Sequence, residues 1–253
     1  MDALMRLCLS LQTFGWMGLA DNEDLKFSAI AASAKGARST VHGRGLFAIT
    51  DIPKGSVAAF YPVHALGDSV RFFQVDADAD IYGGTKHQAY RVALPPSPGL
   101  VAWGATDLWV DSNPAKPEFD GFCAHLVNDA EQFTSTEELD ILAYYERVGA
   151  SSNCRLVSFG DTPLICWVAT KTIEAGSELL GTYGHDYWCA AHAGSVPPYT
   201  TDVAEADERW HEESRRWRRV VQEEYEREIA EISNLVHDSY EEADKTSRGK
   251  ISE

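Results

Sequence analysis

The stretch Ile173-Glu174-Ala175-Gly176-Ser177-Glu178-Leu179-Leu180-Gly181-Thr182-Tyr183-Gly184 decides how this chain is read. Its opening, Ile173 to Ser177, has the composition of a tight turn that leads into a strand. Asp51-Ile52-Pro53-Lys54-Gly55 has the same form and precedes the run Ser56 to Tyr61. Further short β-branched or aromatic runs, Ala89 to Leu94 and Pro163 to Thr170, are bounded by Gly, Pro, Asp and Asn. They predict strands, so the middle of the chain reads as β-rich. Residues 131–151 are polar and then helical in flavour, and read as an insertion. No internal repeat is present.

Outward from this centre the texture changes. From Thr201, the residues Trp210, Trp217, Val221, Tyr225, Ile229, Ile232, Val236 and Tyr240 recur at three or four residues or multiples of that. The period predicts one long amphipathic helix over 201–253, frayed after Lys245 and joined by a linker at 191–200. Such a stripe packs on its own domain or serves a partner, and 201–243 is the candidate homodimer surface. Met1 to Ala20 is moderately apolar but carries Asp2 and Arg6 and is interrupted by Gln12 and Gly15. That argues against a signal peptide and for a packed N-terminal extension, 1–34. Nucleus or cytoplasm is the expected location. No stretch is long and apolar enough to span a bilayer.

The 253 residues hold 22 Lys+Arg against 39 Asp+Glu, a net charge of −17. A protein that grips nucleic acid through phosphates needs a basic face, so direct nucleic-acid binding is disfavoured. Docking on an anionic membrane is disfavoured for the same reason. Basic partners are favoured by long-range attraction, although an acidic surface also serves solubility alone. The cysteines, Cys8, Cys123, Cys154, Cys166 and Cys189, form no C-x-x-C pair. Reduced thiols are expected, and no zinc site or other metal.

Alone, Gly43-Arg44-Gly45 reads as a tight hairpin turn, and it lacks the third glycine of a dinucleotide fingerprint. The order of several such pieces is more specific. Val41-His42-Gly43-Arg44-Gly45-Leu46-Phe47-Ala48 is followed by Ile52-Pro53-Lys54-Gly55, Phe60-Tyr61, Leu108-Trp109-Val110-Asp111, His125-Leu126-Val127-Asn128-Asp129-Ala130, Asn153-Cys154 and the closing stretch quoted above, which continues as His185-Asp186-Tyr187-Trp188. In this order the blocks resemble the SET-domain family of protein lysine methyltransferases, over residues 35–190. The resemblance implies a mainly β fold of small curved sheets with helical insertions and a pseudoknot-like closing segment, followed here by the long C-terminal helix.

What the resemblance implies chemically is methyl transfer from S-adenosylmethionine to a lysine, an in-line displacement. The amine must be neutral and aligned, and an apolar aromatic channel favours the neutral amine. Tyrosine hydroxyls orient it, and aromatic faces suit methylammonium products. The resemblance assigns catalysis to Tyr183 and Tyr61, with Tyr61, Tyr90, Gly181 and Tyr187 lining the substrate channel. It assigns Gly43, Arg44, Gly45 and Leu46 to the methionine end of the cofactor, mainly through backbone groups, with Asn128 bonding the amino-acid part. Trp188 or Tyr187 would stack on adenine, and Trp188 equally reads as a clasp against the C-terminal helix. The substrate implied is a lysine-bearing protein segment, a histone tail being one candidate, which would make the chain a chromatin regulator.

The chain departs from the family pattern R-F-I-N-H-S at its centre. The usual His is Asp129, expected near adenine, where a carboxylate can accept from an amine. The Arg before the motif is His125, and Ala130 replaces Ser. The zinc-binding flanks are missing, so the helix from Thr201 is expected to close the channel, and deletion after Pro198 to weaken binding. Gly181 stands where the family often has Phe or Tyr, which predicts a roomier channel and di- or trimethylation. A weakly active or inactive peptide-binding module, or an oligomeric scaffold, is the alternative.

Overall fold

Gly55 and Gly176 occupy the tips of two matching turns, with φ of +90° and +85°, a region that L side chains avoid. The turns are joined to each other. Ile52 N donates to Ile173 O (2.8 Å) and Ile173 N to Ile52 O (2.9 Å), while Asp51 Oδ1 accepts from Ala175 N (2.8 Å). Each turn feeds a strand, Val57–Phe60 from the first and Glu178–Gly181 from the second.

The structure, a computed structural model, describes residues 33–67, 72–74, 90–94, 107–112, 121–131, 140–159, 164–191 and 200–249, with side chains left out over 72–74, at 186, 190, 191, 224 and 225 and from 228 onward. The described strands are β1 (Ala34–Arg38), β2 (Arg44–Ala48), β3 (Val57–Phe60), β4 (Ala65–Gly67), β5 (Phe72–Gln74), β6 (Arg91–Ala93), β7 (Trp109–Asp111), β8 (Asn128–Asp129), β9 (Cys154–Ser158), β10 (Ile165–Ala169) and β11 (Glu178–Gly181). The helices are α1 (Ile141–Ser151), α2 (His185–Ala191) and α3 (Thr201–Gly249), so the chain is mainly β with a few helices.

The strands form small sheets in the orders β1-β2-β11-β8, β3-β10-β9 and β5-β4-β7-β6. Among the described residues, pairing is antiparallel except at one place. β11 runs parallel to β8, with Leu180 opposite Asn128 and Gly181 opposite Asp129. Its other edge pairs antiparallel with β2, Leu179 opposite Leu46. The closing stretch therefore lies between the glycine-bearing strand and the Asn-Asp strand, which are far apart in sequence.

β3 and β10 are buried along their whole lengths, as their unbroken apolar runs require. Phe60 anchors this core, stacked on Phe122 (5.4 Å between centroids) and edge-on to Phe159 (4.9 Å). A second core forms from Ile141, Tyr144, Tyr145 and Val148 of α1 with Val203 and Ala206 of α3, flanked by Trp188 and Trp210. Asp140 caps α1, its Oδ1 accepting from Ala143 N (3.0 Å). Thr200 closes the first turn of α3, its Oγ1 accepting from Val203 N (3.4 Å).

The α3 contact face starts two turns ahead of Trp210, at Val203 and Ala206, and runs through Trp217 to Val221. The side chains of the distal stripe, Tyr225 to Tyr240, lie outside the described residues, as do 1–32 and the linker 192–199. Tyr90 sits just before β6 rather than within a strand. Cys123, Cys154 and Cys166 are buried, and burial pushes the thiols of Cys154 and Cys166 up. Among the described residues, no helix is long and apolar enough to cross a membrane.

Candidate functional site

Past β11 the chain turns through Thr182, Tyr183 and Gly184 (φ +85°) into α2. The parallel register with β8 sets Asp129 beside this turn. Its Oδ2 accepts from Tyr144 OH (2.7 Å), Tyr183 N (2.9 Å) and Trp188 Nε1 (2.9 Å), and its Oδ1 from Glu131 N (3.0 Å). Tyr144 OH also bonds Thr182 Oγ1. Burial raises the Asp129 pKa from its ordinary value, and the donated hydrogen bonds, led by Tyr183 N, oppose that. Asp129 therefore differs from its sequence expectation. Its carboxylate takes four donors of the chain itself, and so fixes α2 and Tyr183 to β8.

Tyr183 is 39% exposed as a residue, yet its hydroxyl turns inward and donates to Val127 O (3.0 Å). Tyr187 meets its ring edge-on at 4.8 Å and Trp188 stacks at 6.4 Å and 22°. Tyr61, 6% exposed, donates its hydroxyl to Tyr90 O (2.9 Å). His125 lies edge-on between Tyr61 (6.4 Å) and Tyr90 (6.3 Å). Burial raises the phenol pKa of Tyr61, of Tyr183 and of Tyr187, and charges on the neighbouring tyrosines add to it. At Tyr61 those neighbours are Tyr183, Tyr90 and Tyr187; at Tyr183 they are Tyr187 and Tyr90. Residues far apart in sequence thus form one cluster, in which burial favours the neutral phenols of Tyr61, Tyr183 and Tyr187.

A second group lies at the glycine pair. Gly43 has φ +51°, and Ser39 N donates to its carbonyl (3.1 Å). Asn128, 4% exposed, has its Nδ2 within reach of His42 O (3.1 Å), Arg44 O (3.0 Å) and Glu178 Oε1 (2.8 Å). Glu178 Oε2 accepts from Ser39 Oγ (2.9 Å). A Cβ on Gly45 would strike the Glu178 carboxylate, so glycine there lets the carboxylate reach the loop. The group is rich in acceptors: three oxygens converge on one amide nitrogen with two hydrogens. Leu46 is fully buried and Arg44 exposed, and Arg44 meets Asn128 through its carbonyl.

Gly181 also differs from its expectation. A Cβ there would strike the six-membered ring of Trp167. Trp167 is 3% exposed and held by its Nε1 bond to Ala124 O (3.0 Å). The space left by the missing side chain is filled by this indole, so the site is not roomier at that point.

Trp188 belongs to both groups of contacts, bonded to Asp129 and packed against the second core. Sequence reasoning gave no role to Glu178, Tyr144, Thr182 or Trp167. Glu178 stood within the decisive stretch, and its alternation with buried Leu179 marked it as facing away from the core. Tyr144 sat in the segment set aside as an insertion, and nothing local linked it to Asp129. Among the described residues, no group of three or more His, Cys, Asp or Glu is placed to hold a metal ion. A scan against models of known protein families matches none, and no curated protein matches the chain in sequence.

Proposed function

We propose that the chain is an S-adenosylmethionine-dependent protein-lysine N-methyltransferase with a SET-type fold. One observation carries the reading. Tyr183, Tyr61, Tyr90 and Tyr187 share one cluster, and Tyr183, which follows β11, ties it through Val127 O to the residue before Asn128 of β8.

The residues fit the amino-acid end of the cofactor. The carbonyls of His42 and Arg44 and the Glu178 carboxylate are acceptors suited to a cationic α-amino group, and Gly45 is what lets the carboxylate stand beside those carbonyls. When bound, S-adenosylmethionine supplies an electrophilic methyl group on a sulfonium. The chain's own residues do the rest. The tyrosine cluster strips water from an entering lysine, which lowers its pKa and favours the neutral amine. Tyr183 stays a phenol at neutral pH, because burial raises its pKa, so it acts by orientation and not as a phenolate base. Its proton is given to Val127 O, which leaves its oxygen lone pairs to accept from the amine. Tyr61 is held in the same way by Tyr90 O. Alignment of this kind supplies much of the rate in a displacement.

The substrate class is a lysine in a basic protein segment, to which the −17 charge of the chain is complementary. A histone tail is one such segment. Tyr183→Phe keeps the fold and removes the hydroxyl. It should lower the rate of labelled-methyl transfer to core histones or a cell lysate by about 10² or more. Unchanged transfer would overturn the role of Tyr183. A calorimetric titration showing no S-adenosylmethionine binding would favour a peptide-binding module instead.

A further inference from the structure

A cavity of about 370 Å³ lies between β6, the β9–β10 sheet and the face of α3 that bears His211, Ser214, Arg215 and Arg218. Its size is at the lower end of the roughly 300–1,000 Å³ typical of small-molecule sites. None of the residues proposed for methyl transfer lines it, so its test is independent of that function.

Two chemistries meet in the cavity. Val92, Leu156 and Ile165 present an apolar floor. The α3 wall is cationic, with Arg215 and Arg218 one turn apart. These belong to the run Arg215-Arg216-Trp217-Arg218-Arg219, a basic island in a chain of net charge −17. Trp217 packs on the main core and holds the island against the sheet. Arg215 is engaged by Glu208 at 2.6 Å, and His211, also on the wall, by Asp207 at 3.6 Å. Arg218 has no carboxylate partner among the described residues.

Ser158 supplies a second, separate observation. It lines the cavity and is 2% exposed, yet its Oγ has no hydrogen-bond partner among the described residues. A buried hydroxyl without a partner is costly and calls for an acceptor or donor from outside the chain. Ser214, by contrast, is satisfied by its bond to Trp210 O (3.1 Å).

We infer that this cavity binds a small carboxylate with an apolar body, its carboxylate on Arg218 and Ser158 and its chain or ring on the floor. A basic peptide would be repelled by the arginines. A polyanion would need a far wider basic face than a single turn of helix in an acidic chain. A carboxylate on an apolar chain satisfies the free guanidinium, the hydroxyl and the apolar floor together.

The test titrates the full chain with octanoate and with octan-1-ol, a neutral analogue of the same length, and follows binding by calorimetry. Octanoate should bind saturably and octan-1-ol at least about ten-fold more weakly. Arg218→Gln should weaken octanoate about ten-fold and leave octan-1-ol unchanged. Ala93→Phe fills the cavity from an exposed strand position and should abolish both, with an unaltered circular dichroism spectrum. No saturable octanoate binding to the folded chain would overturn the inference. So would equal binding of acid and alcohol, or no effect of Arg218→Gln. A doubling of mass by light scattering that Ala93→Phe reverses, with octanoate inert, would assign the face to a second copy instead.

Discussion

Gly181 and Asp129 face each other across a parallel pair, and each carries a prediction opposite to its first reading. At Gly181 the absent side chain suggested space, yet Trp167 lies over it with its indole nitrogen tied to Ala124 O. A methyl group there forces a buried, hydrogen-bonded ring to move. Gly181→Ala should therefore destabilise the protein by about 1–3 kcal/mol, seen as a lower urea midpoint with unchanged slope. An unchanged midpoint would show that the ring has room to yield. At Asp129 the carboxylate looked like a ligand and is instead a four-bond anchor. Burial raises its folded pKa above the ordinary 3.8, so the folded state binds its proton more tightly than the unfolded one. That contribution is fully present below the unfolded pKa and is lost as pH rises through the raised folded value. The stability of the wild type minus that of Asp129→Asn should therefore fall as pH rises from below about 4 through that value. Urea titrations at stepped pH measure it, and a difference that is flat or rises with pH would exclude net desolvation of this carboxylate. Both residues were visible in sequence, but their neighbours were not, because Trp167 and Tyr144 reach them only through tertiary packing.

The contact between α3 and β9 turns on Arg155. Its guanidinium lies 3.3 Å from the centroid of the Trp210 ring, with Nη2 donating to Glu213 Oε2 at 2.5 Å. Arg155 is 5% exposed, and its Nε and Nη1 have no hydrogen-bond partner among the described residues. Desolvation lowers its pKa to about 10, against the pull of Glu213. A buried cation with two unmet nitrogens gains little from a largely exposed partner. Arg155→Met should thus change stability by less than about 1 kcal/mol, or raise it. Trp210→Ala leaves the same cation uncovered and removes a packed ring, and should cost about 3 kcal/mol. Thermal unfolding of the two variants separates the cases, and a larger loss for Arg155→Met would make the pair a true stabiliser. The elements themselves were largely legible. β3 and β10 announced themselves as apolar runs between turn residues, and both turns pair through Ile52 and Ile173. α3 was legible from its period, but its first two buried positions were not. Val203 and Ala206 are small, and only the neighbouring α1 makes them core. The sheet order was illegible locally, since β8 is two residues long and joins β11 through a parallel pair that no short-range pattern encodes.

At the scale of the whole chain, α3 links the two cores, with Val203 and Ala206 in one and Val221 in the other. It also decides where the acidity points. Residues 201–253 hold 9 Lys+Arg and 16 Asp+Glu, a net of −7. In the described part of α3, Asp202, Glu205, Glu208, Glu212 and Glu213 are exposed, whereas Asp207 turns inward, 3.4 Å from His185 of α2. The first turns of α3 therefore carry solvent-facing carboxylates next to the helix that bears Tyr187 and Trp188. The total charge was plain in the sequence; its placement beside the cluster depended on the α2–α3 contact. If a basic segment is the substrate, these carboxylates act on its approach and not on the displacement, because they face solvent. Charges of this kind are screened over about 10 Å at 0.1 M salt. Raising salt from about 50 to about 300 mM should raise KM for a basic lysine peptide several-fold and leave kcat within about two-fold. Glu205→Lys, at an exposed position with a 3.9 Å contact to Arg209, should shift KM the same way at low salt and little at high salt. A KM indifferent to salt and to this charge reversal would mean that the acidity of α3 serves the solvent alone. A kcat that falls instead would place the carboxylates within the reacting site.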